Sequence, residues 1–194
     1  MHVTRRRGDR PNVLPEIGEA ADATALVRPQ ADGMQINVSA ERHIEAPASR
    51  VFSYIRDFRE HHPRFLPAEF SDFEIESGGV GAGTVHRFTM TLGGRSTRYR
   101  VRVGEPEPGR VLIESDPSRS MLTTFTVDRS PDGGSRVRID TRWFTPGVQG
   151  LVERLVAPRM LRRVYREELG LLDRYATGRF ADAATRPSPE SVAA

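Results

Sequence analysis

The 194-residue sequence predicts an α+β domain in which seven antiparallel strands form one sheet and a long C-terminal helix completes the fold. Three observations support this. Apolar and polar residues alternate through the middle of the chain, as in strands with one buried face. Two pairs of such segments flank short glycine-containing turns, and in each pair the apolar residues fall into register. The final segment changes to the 3.6-residue period of an amphipathic helix.

Strand 1 is expected over Met34 to Ala46, with Ile36, Val38, Ala40 and Ile44 on one face. Two short helical segments follow. Pro47 suits the first position of a helix, and Val51, Ile55 and Phe58 recur at helical spacing. A second turn is expected at Glu60 to Leu66, limited by Pro63 and Pro67. Phe73 to Ser77 and Thr84 to Leu92 read as the next strands. Gly93-Gly94 is a two-residue hairpin turn leading into Arg95 to Gly104, with Phe88 facing Tyr99 and His86 facing Val101. A shorter strand is expected at Arg110 to Asp116. The second hairpin joins Met121 to Asp128 with Arg136 to Phe144, Val127 facing Val137 and Phe125 facing Ile139. The helix from about Val148 to Tyr175 carries Leu151, Leu155, Leu161, Tyr165 and Leu172 on one stripe, and Pro158 is expected to kink or split it.

Composition bounds the chemistry. A hydrophobic fraction of 37% with 17 glycines is that of a globular chain. Cysteine is absent, which excludes disulfides, thiolate metal sites and a cysteine nucleophile. All 29 basic residues are arginine, which excludes lysine Schiff-base chemistry and a Walker-type phosphate loop. A net charge of +3 makes no case for nucleic acid, and no apolar run is long enough for stable membrane insertion. Residues 1–33 are expected to form a disordered tail, 34–177 the folded domain and 178–194 a second disordered tail. No apolar signal-peptide core follows Arg5-Arg6-Arg7, so a cytoplasmic location is expected.

The segment Ile44-Glu45-Ala46-Pro47-Ala48-Ser49-Arg50-Val51-Phe52, followed by Asp57, the glycines from Gly79 to Gly83 and the long terminal helix, resembles the START-like, or SRPBCC, superfamily and most of all its polyketide cyclase/dehydrase-like branch. The resemblance implies a helix-grip fold, with the sheet curved round the C-terminal helix and an apolar cavity between them. It implies binding of a hydrophobic or aromatic small molecule, for transport or sequestration, with no cofactor. Two further classes remain open, a polyketide aromatase/cyclase-like enzyme and a protein-interaction module.

Alternation places Phe88, Met90, Tyr99, Phe125 and Trp143 on the apolar side of the sheet, with His86 and Val101 beside them. With Leu155 and Tyr165 from the helix, these are the expected ligand-binding residues. Any catalysis falls to His86 as an acid or base near neutral pH, to the Tyr99 hydroxyl, and to Arg42 as a partner for a carboxylate or enolate. Glu114 and Asp116 alternate with Val111 and Ile113 and are expected on the outer face, answering its arginines. His61-His62 lacks a third ligand at metal-site spacing, so no metal is expected. The Gly78–Gly83 run leads into a strand and reads as a turn. The arginines after Pro158 (Arg159, Arg162, Arg163 and Arg166) suggest a basic rim on a helical lid.

Overall fold

The computed structural model describes residues 33–146 and 151–179 of the chain, and the side chains of 35–144 and 156–179. The tails expected at 1–33 and 178–194 lie almost wholly outside these residues, as does the start of the proposed lid, whereas its arginines from Arg159 to Arg166 fall on a described helix. The strands are β1 (Gly33–Ile44), β2 (Phe70–Ser77), β3 (Val85–Leu92), β4 (Arg95–Glu107), β5 (Val111–Asp116), β6 (Met121–Arg129) and β7 (Ser135–Pro146). They form one curved antiparallel sheet in the order β1-β7-β6-β5-β4-β3-β2.

Both hairpins have the expected registers. In the first, Gly93 and Gly94 have φ of 58° and 80°, the left-handed pair that a two-residue turn matched to strand twist requires. It sets Phe88 opposite Tyr99 and His86 opposite Val101. In the second, Val127 faces Val137 and Phe125 faces Ile139. Every neighbouring pair from β2 to β7 is consecutive in the chain; only the β1–β7 pairing is distant.

The chain crosses from the β1 edge to the β2 edge through α1 (Ala48–Arg56) and a 3-10 turn (His62–Phe65). The second of the two expected helices is therefore only this turn, because Pro63 and Pro67 leave no room for a longer hydrogen-bonded ladder. Ile55, Phe58 and Phe65 on this crossing are fully buried. The glycine run acts as a clasp. The Phe58 N–H donates to the Gly79 carbonyl at 2.9 Å, and the Gly81 N–H donates to the Arg56 carbonyl at 2.8 Å. Gly81 has φ +65°, and a Cβ there would lie 2.2 Å from Glu105 Oε1 and 2.3 Å from Arg56 Nη2, so only glycine fits beside that ion pair.

The last element, α2 (Leu151–Ala176), is one helix with Pro158 inside it, and is not split. Proline at its eighth residue removes a single rung near the helix start, and the buried stripe of Leu161, Tyr165, Leu169 and Leu172 holds the rest against the sheet. Arg42 ties β1 to the end of α2, with Nη2 and Nε donating to Asp173 Oδ2 at 2.8 and 3.1 Å.

The expected outer placement of Glu114 and Asp116 is overturned. Glu114 points to the inner face of the sheet, opposite Val103 on β4 and Thr123 on β6. The reason is a second apolar cluster on the outer face, where Val111 and Ile113 pack with Leu122 and Phe144. β5 is buried on both faces, so its more apolar side is not its inner one. Asp116 shares the inner parity and is also buried; it accepts from the Ser118 N–H at 3.0 Å and the Arg100 N–H at 3.2 Å, with Arg119 at 3.9 Å.

Candidate functional site

β3 directs His86, Phe88 and Met90 inward, and β6 directs Met121, Thr123 and Phe125 toward the same point. α2 lowers Tyr165 and Glu168 onto them from above, and β5 adds Glu114. His62 and Leu66 from the crossing, with Phe70 and Phe73 of β2, close the remaining side. The space these residues enclose is about 30 Å³, room for roughly two waters. The hollow is thus much smaller than the ligand-sized cavity expected from the sequence, because aromatic rings and Met121 reach into it from several sides.

The floor of this space is polar. His86 is 1% exposed, its ring lying 4.7 Å from that of Phe58 and 4.9 Å from that of Phe73. Its Nε2 is 3.4 Å from Glu114 Oε1, close enough for charge attraction but not aligned as a hydrogen bond. Neither ring nitrogen of His86, nor Oε1 of Glu114, has a hydrogen-bond partner. His62 stacks on the other face of Phe58 at 4.6 Å, and its Nδ1–H donates to the Ile55 carbonyl at 2.6 Å, so in the neutral ring Nε2 carries the lone pair. Thr123, Thr141 and Tyr165 form a chain of hydroxyls, with 2.8 Å between the two threonine oxygens.

The environment separates the ionisable groups. Burial drives the Glu168 carboxyl well above its usual range, and the neighbouring charge of Glu114 adds to this. Burial opposes ionisation of Glu114 too, but the His86 and His62 imidazoles outweigh it and hold that carboxyl below its usual range. His62 is lowered, chiefly by burial, against the pull of Glu114. The cluster therefore sets a carboxyl raised above the usual carboxylate range beside one held below it, facing a common space.

Of the residues expected from sequence, His86, Phe88, Met90, Phe125 and Tyr165 line this space. Tyr99 lies behind Phe88, ring centroids 5.3 Å apart, under the Arg119 guanidinium at 5.2 Å. Val101 is fully buried and Trp143 half-buried in the same core, off the cavity wall. Arg42 is engaged by Asp173 away from the cavity. The Leu155 side chain lies outside the described residues. Sequence reasoning missed His62, Glu114 and Glu168. Glu168 had a readable signal: it falls three residues after Tyr165 and four before Leu172, inside the apolar stripe of α2.

A long helix gripped by a curved seven-stranded sheet, with a small polar cluster between them, defines a helix-grip protein. The chain belongs to the polyketide cyclase/dehydrase and lipid transport family, whose model matches residues 35–177. Among solved structures it is similar to the KanY protein (ms6282), at 28% identity and a TM-score of 0.67, covering 75% of this chain and 99% of that one. It is also similar in fold to the Zhui aromatase/cyclase from Streptomyces sp. R1128, at 17% identity and a TM-score of 0.61, covering 77% and 98%. Truncated norcoclaurine synthase from Thalictrum flavum shares the fold at 15% identity and a TM-score of 0.58, covering 76% and 97%. No curated protein matches the sequence. Among the described residues, no helix is long and apolar enough to cross a membrane.

Proposed function

We propose that the protein binds a hydrophobic or aromatic small molecule between the sheet and α2, for transport or sequestration, with the ligand's polar group seated on the His86–Glu114–Glu168 cluster. The observation that carries this is the set of three buried polar atoms, His86 Nδ1 and Nε2 and Glu114 Oε1, left without hydrogen bonds around an internal space. Each such atom costs about 1–3 kcal/mol. An interior serving only as core has no reason to keep them, whereas a ligand that hydrogen-bonds there offsets the cost.

A benzene-sized guest needs roughly 150 Å³, so binding requires the wall to yield. Leu66, Phe70 and Phe73 are the half-buried part of that wall, and Phe73 lies directly over His86. They are the side chains able to swing outward without disturbing the core. Phe73→Ala is therefore expected to tighten the binding of 1-naphthol several-fold, measured by calorimetric titration, with native mass spectrometry of fresh protein to detect a retained ligand. Unchanged binding in Phe73→Ala would remove this residue as the gate. No binding of any aromatic probe to either form would remove the ligand-binding reading and favour an interaction module.

A second reading has its own support. Two carboxyls whose surroundings push one up and the other down, facing one space, suit the acid and base roles of aldol closure and dehydration, and a fold neighbour is an aromatase/cyclase. If the chain is such an enzyme, His86→Ala abolishes turnover while leaving substrate affinity within a few-fold. A parallel loss of affinity and turnover would instead make His86 a binding residue.

A further inference from the structure

We propose that the cavity is built for a ligand carrying a protonated amine, an aromatic or alkyl ammonium whose charged head sits between Glu114 and Glu168. The inference rests on the ligand-binding reading above and names the chemical class that reading leaves open.

The first support is what lines the space. All 29 basic residues of the chain are arginine, yet among the described residues none lines this cavity. Its ionisable groups are two carboxyls, two imidazoles and the Tyr165 phenol. A carboxylate or phosphate head would meet the Glu114 charge with no guanidinium to answer it. Arg42, the arginine expected to hold an anion, is held by Asp173 elsewhere.

The second support is the direction of the hydrogen-bonding groups. His62 donates its Nδ1–H to the Ile55 carbonyl, leaving Nε2 as an acceptor. Both ring nitrogens of His86 are without hydrogen-bond partners, and in the neutral ring one of them is an acceptor. Glu114 Oε1 is an unpaired acceptor, and the hydroxyls of Thr123, Thr141 and Tyr165 are occupied with one another. The site thus offers acceptors at Glu114 Oε1, His62 Nε2 and one ring nitrogen of His86, and among the described residues no guanidinium competes for them. An ammonium brings up to three N–H donors. The faces of Phe73, Phe88 and Phe125 around it suit a desolvated cation.

Glu168 completes the site. It is buried on α2 with no side-chain hydrogen bond among the described residues, and Glu114, Tyr165, His62 and His86 line the same space. Bringing in a cation favours its ionised form, so binding shifts its proton equilibrium toward release to the buffer. The Coulomb repulsion between the two carboxyls, which opposes that ionisation in the free protein, is relieved by the charge placed between them.

The test uses three probes of nearly equal size on the full chain: 2-phenylethylamine, 2-phenylethanol and phenylacetate, titrated calorimetrically at pH 7 in two buffers of different ionisation enthalpy. The amine is expected to bind at least tenfold tighter than the alcohol, with phenylacetate weakest, and amine binding is expected to release protons rather than take them up. Glu168→Gln and Glu114→Gln are each expected to bring the amine-to-alcohol affinity ratio toward one. If the alcohol equals the amine, if phenylacetate is tightest, or if the ratio survives both substitutions, the amine assignment falls and the ligand-binding reading stands. If none of the three binds either the wild type or Phe73→Ala, the ligand-binding reading falls and takes the assignment with it.

Discussion

Phe58→Ala is expected to lower the stability of the domain by about 3–5 kcal/mol and its melting temperature by roughly 10–15 °C. Phe58 is fully buried where the crossing from α1 meets the sheet. Its ring is held between His62 at 4.6 Å and His86 at 4.7 Å, and its N–H is fixed by the Gly79 carbonyl. Truncation loses the burial of one of the largest side chains in the core and leaves a void with imidazole on two sides, which cannot collapse without unseating both rings. Phe58→Leu keeps most of the volume and is expected to cost under about 2 kcal/mol. Denaturant titration of the two variants checks this; a loss below about 1 kcal/mol for the alanine variant would mean that Phe58 is not the wedge that holds the histidines.

The second large effect is a pH dependence of stability set by the buried cluster. Glu168 has a raised pKa, so between the ordinary value of 4.5 and its folded value the native state holds a proton that the unfolded chain has released. Stability then falls as pH rises, by about 1.4 kcal/mol per unit. His62 is lowered from 6.5, so the unfolded chain takes up a proton below that pH while the folded one does not, and stability falls as pH drops. Where the two windows overlap the slopes oppose one another, and the Glu168 slope lasts until pH passes its raised folded value. Glu114, held below 4.5, adds stability that is lost as pH falls through its lowered value. The wild type is therefore expected to lose, as pH rises above 4.5, the part of its stability that the Glu168 proton supplies. Glu168→Gln removes that loss, so the variant gains on the wild type as pH rises above 4.5, until the folded carboxyl has ionised. Urea denaturation from pH 5 to 9 measures this directly, and parallel profiles for the two proteins would show that Glu168 is ionised in the fold.

Much of the architecture was legible because two hairpins specify it. Val127 opposite Val137 and Phe88 opposite Tyr99 follow from turn length and alternation alone, and each pair makes the other strand's face unambiguous. The site was legible only in part. His86 was found because a polar residue interrupts an otherwise apolar face. Glu114 was placed on the wrong face because alternation shows which residues of β5 differ, not which side is inside, and a strand buried on both faces removes the contrast. His62 was considered only as a metal ligand, since nothing local to a 3-10 turn says which of two adjacent histidines enters the core. The size of the cavity was beyond reach, because it depends on how far Phe70, Phe73 and Met121 extend, which is a matter of rotamers rather than pattern.

The placement of β1 has a consequence for how the chain reaches its native state. β2 to β7 can zip together by successive local reversals, each closing a short loop, whereas β1 pairs with β7 across roughly a hundred residues of intervening chain. The late step in refolding is then the docking of β1, and until it happens β7 presents an unpaired edge to other molecules, the natural point for self-association. Pulsed hydrogen exchange during refolding is expected to protect the amides of β3, β4, β6 and the β6-facing side of β7 before those of β1; simultaneous protection would mean that the distant strand joins in the nucleus itself.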